Sequence, residues 1–193
     1  MAERPDVEEL TIEECPSENG VIIIATINRP EKLNALNANV KDAIKTLCSW
    51  AQEAEHVTVV VFRGASPLPP PEGKRQKPHA FVAGADVSEF VGKDSVAIRP
   101  EFEDNVWEAV WKLRKPTIAL IDGYALGGGS ELALSCDIRV ATQRSMFGTP
   151  EINLGLIPGG GGTQRLTWLV GYGKAMEMVM GGEMIDGDEA YRI

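Results

Sequence analysis

Six residues, Val57-Thr58-Val59-Val60-Val61-Phe62, form an unbroken apolar and β-branched run with no alternating polar face. Such a strand is buried on both sides, as in sheets whose two faces are covered by other layers. It commits the chain to a layered α/β arrangement, and the flanking patterns agree. Residues 39–55 place Val40, Ala43, Ile44, Leu47, Ala51 and Ala54 at helical spacing. Residues 8–14 and 21–27 read as two strands joined across Ser17-Glu18-Asn19-Gly20, a hairpin signal. Phe102, Val106, Ala109, Val110 and Leu113 predict a further helix, ended by Pro116, and Thr117–Ile121 and Ile138–Ala141 predict further strands.

With 193 residues the chain can bury a sizeable core, and one domain spanning 1–193 is expected. A formal charge of −9 argues against nucleic acid or an anionic membrane as partner. Residues 1–20 carry seven acids and one base, an acidic start that reads as a solvated segment. Cys15, Cys48 and Cys136 show no ligand spacing and read as reduced thiols, which fits a cytoplasmic protein. His56 and His79 read as surface residues, and no metal cluster is visible. The N-terminus lacks the basic region and long apolar core of a signal peptide, and the apolar run at 21–27 is too short to span a membrane.

Chemistry concentrates in three turns. Gly127-Gly128-Gly129-Ser130-Glu131 leads into a short apolar helix, so free N–H groups and a carboxylate share one helix start. Ala83-Gly84-Ala85-Asp86-Val87 is a second small-residue turn, with Asp86 suited to cap a helix over residues 87–91. Gly148-Thr149-Pro150-Glu151 brings a second carboxylate. Two backbone turns facing one oxygen would form an oxyanion hole, and the glutamates beside them would move protons. The run Gly159 to Gly162 also precedes a helix, but the Gly-Lys-Ser/Thr ending of a P-loop is missing. Neither cluster gives a full dinucleotide fingerprint.

Phe81-Val82-Ala83-Gly84-Ala85-Asp86, the segment Gly123 to Ala133, and the segment Phe147 to Gly159 resemble the enoyl-CoA hydratase/isomerase (crotonase) family in order and spacing. So do Asn28-Arg29-Pro30-Glu31-Lys32-Leu33-Asn34-Ala35-Leu36 and Gly162-Thr163-Gln164-Arg165-Leu166. The resemblance implies a spiral of repeated ββα turns, a topology that periodicity alone does not give. It also implies reversible addition of water to a trans-2-enoyl-CoA, giving a 3-hydroxyacyl-CoA. The N–H groups of Ala85 and Gly128 would hold the thioester oxygen, Glu131 would act on the water, and Glu151 would exchange the α-carbon proton. Gly159 would help place the water. Ala83, Asp86, Val87, Gly127 and Pro150 would line the substrate site, and Lys32, Leu33 and Ala35 the adenine and phosphate end. No cofactor or metal is implied, since coenzyme A belongs to the substrate. A homotrimer or hexamer is the family expectation. Two other readings stay open: an isomerase of the same family, which often manages with one glutamate at the position of Glu151, and a silent subunit that binds acyl-CoA.

Two segments depart from the family pattern. Residues 64–79 form an insertion with five prolines between Ser66 and Pro78, which prevents regular structure. It reads either as a mobile surface loop or, through Lys74, Arg75 and Lys77, as an added contact for the phosphates of CoA. The segment from Gly182 to Ile193 resembles one that the family continues through further helices, so that helical region is expected to be largely absent.

Overall fold

The computed structural model describes residues 3–98 and 105–193. Strands β1 (Leu10–Ser17) and β2 (Gly20–Ile27) pair antiparallel from Leu10↔Ile27 to Ser17↔Gly20, the expected hairpin. Helix α1 (Ala38–Glu53) starts at Asn37, whose side chain accepts from Val40 N, and buries Val40, Ala43, Ile44, Leu47, Cys48 and Ala51. The Val57–Gly64 strand (β3) runs parallel to β2, in the middle of a five-stranded sheet.

Beyond β3 the chain repeats one operation. It adds a strand to the five-stranded sheet, turns a corner, adds a short strand to a four-stranded sheet, and leaves through a helical turn. Strands β3, β5 (Thr117–Ile121) and β7 (Ile138–Ala141) lie in the first sheet. Strands β4 (Ala80–Val82), β6 (Tyr124–Leu126) and β8 (Met146–Gly148) lie in the second, parallel and adjacent. Helices α2 (Ser95–Ile98) and α3 (Val106–Lys112) follow β4, α4 (Gly128–Ser135) follows β6, and α5 (Gly162–Val170) and α6 (Tyr172–Gly181) follow β8. A two-residue strand, β9 (Ile185–Asp186), pairs antiparallel with β8, and α7 (Gly187–Arg192) follows it. This is the spiral of ββα turns that the resemblance implies. The core lies between α1, α3, α4 and the strands, around Phe62, Phe81, Leu36 and Leu132.

Some elements differ from expectation or lie partly outside the described residues. The helix placed at 87–91 is a single 3-10 turn, Val87–Glu89, capped by Asp86 as anticipated. Phe102 lies outside the described residues, and α3 ends at Lys112, short of Pro116. Strands β4, β6 and β8 have three residues each, too few to show a period of two. Residues 65–79 contain no helix or strand, as their prolines require.

The corners leading into β4, β6 and β8 are tied to one another by side chains. His79 Nδ1 lies 3.0 Å from Asp122 Oδ2. Arg144 grips both oxygens of Asp122 at 2.6 Å, and Thr142 donates to Oδ1 at 3.0 Å. Ser145, fully buried, donates to Ile121 O. The Arg144 hydrogen bonds hold the Asp122 carboxyl below the usual carboxylate range. His79, expected to be an ordinary surface residue, is therefore part of this tie.

No helix among the described residues is long and apolar enough to cross a membrane. None of the three cysteines is in a disulfide, and burial pushes the thiols of Cys48 and Cys136 up to about 12, which leaves both inert.

Candidate active site

Leaving β4, the chain is clamped by the loop at 29–36. Leu36 N donates to Gly84 O at 2.9 Å and Asp86 N to Leu36 O at 2.8 Å. Those two bonds make a parallel bridge between Leu36 and Ala85. In such a bridge the N–H of Ala85 itself lies outside the pairing and points away from Leu36. Leaving β6, Gly127 adopts φ 51°, and Gly128 opens α4 with an N–H that has no acceptor within the helix. A Cβ built on Gly128 would lie 3.5 Å from Ala85 N, so the two turns approach closely here. Gly129 sits against the carbonyl of Val82, an approach that any side chain would block.

Glu131, on the first turn of α4, is 2% exposed. Its Oε1 accepts from Gly160 N at 2.7 Å and Gly162 N at 2.9 Å. Burial raises its carboxyl from the ordinary range to about 7, and the charge of Glu151 pushes the same way. The two backbone N–H groups and the nearby Arg165 oppose that rise. Leaving β8, Thr149 leads into the 3-10 turn Pro150–Leu154, which carries Glu151. Burial raises the Glu151 carboxyl as well. Its Oε2 is buried without a hydrogen-bond partner, as is Thr149 Oγ1 beside it. A buried carboxyl oxygen with no donor fits a group whose partner arrives with a ligand.

Ala85, Gly128, Glu131, Glu151 and Gly159 line one cleft of about 80 Å³. A larger groove of about 350 Å³ lies on the other side of α4, beside Leu134, Leu166 and Met178, and neither glutamate lines it. Both glutamates therefore face the smaller space.

Residues 17–193 match the model of the enoyl-CoA hydratase/isomerase family. The chain belongs to that family. A short-chain-enoyl-CoA hydratase of Clostridium acetobutylicum is 40% identical over 176 residues, and a crotonyl-CoA hydratase of Syntrophomonas wolfei is 37% identical over 175. These matches cover 90% and 89% of the chain, and the chain spans 63% of the length of each relative. The crystal structure of an enoyl-CoA hydratase from Bacillus anthracis superposes with a TM-score of 0.82 at 31% identity, over 96% of this chain and 67% of that one.

Within this enoyl-CoA hydratase/isomerase chain, the residues named from sequence separate into two shells. The five cleft residues stand together. Lys32, Leu33 and Ala35 lie behind them, on the loop that clamps the Ala85 turn. Leu33 O accepts from Ala83 N, and Ala35 O from Arg29 Nη1. Asp86 turns its carboxylate to Ser88 and Arg29, whose hydrogen bonds hold it below the ordinary range. Gly127 donates to Gly148 O, and a Cβ there would meet Glu151 Oε1 at 3.3 Å. Pro150 starts the turn that carries Glu151, and Val87 is exposed beyond Asp86.

Sequence reading missed Trp107, whose indole N–H donates to Gly128 O at 2.8 Å while its ring fills the space over Gly160. Lys41, Phe90, Leu156 and Ile157 also line the cleft. Trp107 and Phe90 carry no spacing signal that separates a cleft wall from an ordinary core residue.

Proposed function

We propose that the chain hydrates a trans-2-enoyl-CoA reversibly to a 3-hydroxyacyl-CoA. The observation that carries this reading is a pair of carboxyls, buried Glu131 and partly buried Glu151, that line one cleft with Ala85 and Gly128. The thioester oxygen accepts from Ala85 N–H and Gly128 N–H, which stabilise the enolate-like charge that develops as water attacks C3. Glu131, ionised, takes the proton of that water, and Glu151, protonated, delivers its proton to Cα. Burial raises the proton affinity of both carboxyls and the charge of Glu151 raises that of Glu131 further, which favours this one-proton state. Hydration uses both groups, whereas the family's isomerisation often manages with the carboxyl at the position of Glu151 alone. No metal or redox cofactor enters these steps.

Lys77 Nζ donates to Glu31 O at 2.6 Å, which sets the basic run at 74–77 beside Lys32. This contact supports a path for the CoA phosphates along that loop, with charge matched to charge. Exposed Trp168, Tyr172 and Met180 on α5 and α6 support self-association, as a trimer or hexamer. The deciding experiment is crotonyl-CoA hydration by the purified chain, with Glu151→Gln as control. Turnover that disappears in the variant supports the reading. Equilibrium binding of crotonyl-CoA without turnover in either protein replaces it with the silent acyl-CoA-binding subunit.

A further inference from the structure

The turn that holds Glu131 is itself held from behind. Gly160 N–H donates to Glu131 Oε1, and the carbonyl of the same residue accepts from Arg165 Nη1 at 2.6 Å. Arg165 lies on the first turn of α5 and bends back along its own helix toward the turn that precedes it, as helical side chains do. Its side chain is 8% exposed, with Glu108 Oε2 at 3.3 Å and the ring of Trp111 beneath its guanidinium at 4.9 Å. It does not line the cleft. Burying a guanidinium against one half-exposed carboxylate is a weak source of stability, and an apolar side chain of similar volume would pack there at less cost. The charge and the fork of donors need a local purpose.

We propose that Arg165 is a positioning residue that fixes the Gly160 and Gly162 N–H groups on Glu131 and so sets how tightly that carboxyl holds its proton. Without the guanidinium, Gly160 O loses its donor, the turn relaxes, and the N–H pair no longer favours the carboxylate. Loss of the positive charge acts in the same direction. The other groups facing Glu131 are Glu151 from the Pro150–Leu154 turn, Lys41 of α1 across the cleft, and Glu108 of α3 through Arg165.

The test compares wild type with Arg165→Met and Arg165→Lys. The carboxyl of Glu131 is titrated by NMR on protein labelled with 13C-glutamate, and its signal is assigned by its loss in Glu131→Gln. The expected result is a midpoint raised by roughly one pH unit in Arg165→Met and by less in Arg165→Lys. The acidic limb of kcat/KM moves with it, while KM stays unchanged and activity recovers at high pH. An unchanged midpoint in a folded Arg165→Met overturns the proposal, as does a kcat lowered equally at every pH. If Arg165→Met does not fold, Arg165→Lys decides by the same criteria. The kinetic arm rests on Glu131 as the base for hydration, but the titration does not. A wild type without turnover would sink the hydratase reading and leave the carboxyl midpoint to judge Arg165.

Discussion

The two ends of the four-stranded sheet solve opposite problems. Where the chain enters β4, β6 and β8, His79, Asp122, Thr142, Arg144 and Ser145 satisfy one another across three consecutive corners. Where it leaves, small residues keep N–H groups open at Ala85 and Gly128, and Glu151 keeps a carboxyl oxygen without a donor. One end spends its polar groups on itself, and the other holds them for something else. Unmet hydrogen-bonding groups of this kind persist where the surrounding structure over-determines them, and they gather at functional sites.

Substitutions should separate the two ends by which property they change. The largest effect is expected at the open end. Glu131→Gln or Glu151→Gln should lower kcat for crotonyl-CoA by about 10²–10⁴. Neither should lower the melting temperature, because glutamine keeps the shape of each side chain and burial disfavours the carboxylate form at both positions. A lower melting temperature in both would erase the distinction between the ends.

Next comes Gly123→Ala at the closed end, where a Cβ would run into the carbonyl of His79 and φ is 83°. Overpacking together with a left-handed backbone should cost about 3 kcal/mol in urea unfolding, with turnover per folded molecule retained.

The pH dependence of stability should carry opposite signs at the two ends. The Glu131 carboxyl is raised to about 7, so the folded state binds more protons than the unfolded one from about pH 4.3 upward. Stability from this group is full below that value and is lost as pH rises toward 7. Asp122 is lowered, so its contribution is present above about pH 3.9 and is lost as pH falls through the folded value. Thermal melts from pH 3 to 8 should show Glu131→Gln removing part of the decline above pH 4.3. Asp122→Asn should remove part of the loss in acid. The smallest effect is that of Asp122→Asn at neutral pH, about 1 kcal/mol or less for a half-exposed cluster, with kcat/KM within about twofold of wild type.

The same contrast explains what could be read from sequence. The long elements were legible because Val57 to Phe62 and the Val40–Ala51 face have enough residues to show burial and period. The open turns were legible because glycines, an Ala-Gly-Ala turn and two acids make a local signature in order along the chain. The corners were not. His79, Asp122 and Arg144 are 43 and 22 residues apart and meet only because the strands they precede are neighbours in the sheet. Trp107 and Arg165 were missed for the same reason. Trp107 reaches the site through the packing of α3 on α4, and Arg165, though part of the Gly162–Leu166 block that resembles the family, carries no local signal that ties it to Gly160.

The order of strands in the smaller sheet also fixes a length. Ala85, Gly128 and Glu151 follow β4, β6 and β8, which are hydrogen-bonded neighbours in that sequence. Adjacent strands stand about 4.8 Å apart, a spacing set by N–H to carbonyl bonds and indifferent to side chains. The site is thus graduated like a ruler, one mark per turn of the spiral. Substitution can change what stands at each mark, an acid for an amide or a methyl for a hydrogen, but not the interval between marks. Diversification on such a frame proceeds by exchanging proton donors and acceptors around a cradle whose dimensions are inherited from the backbone.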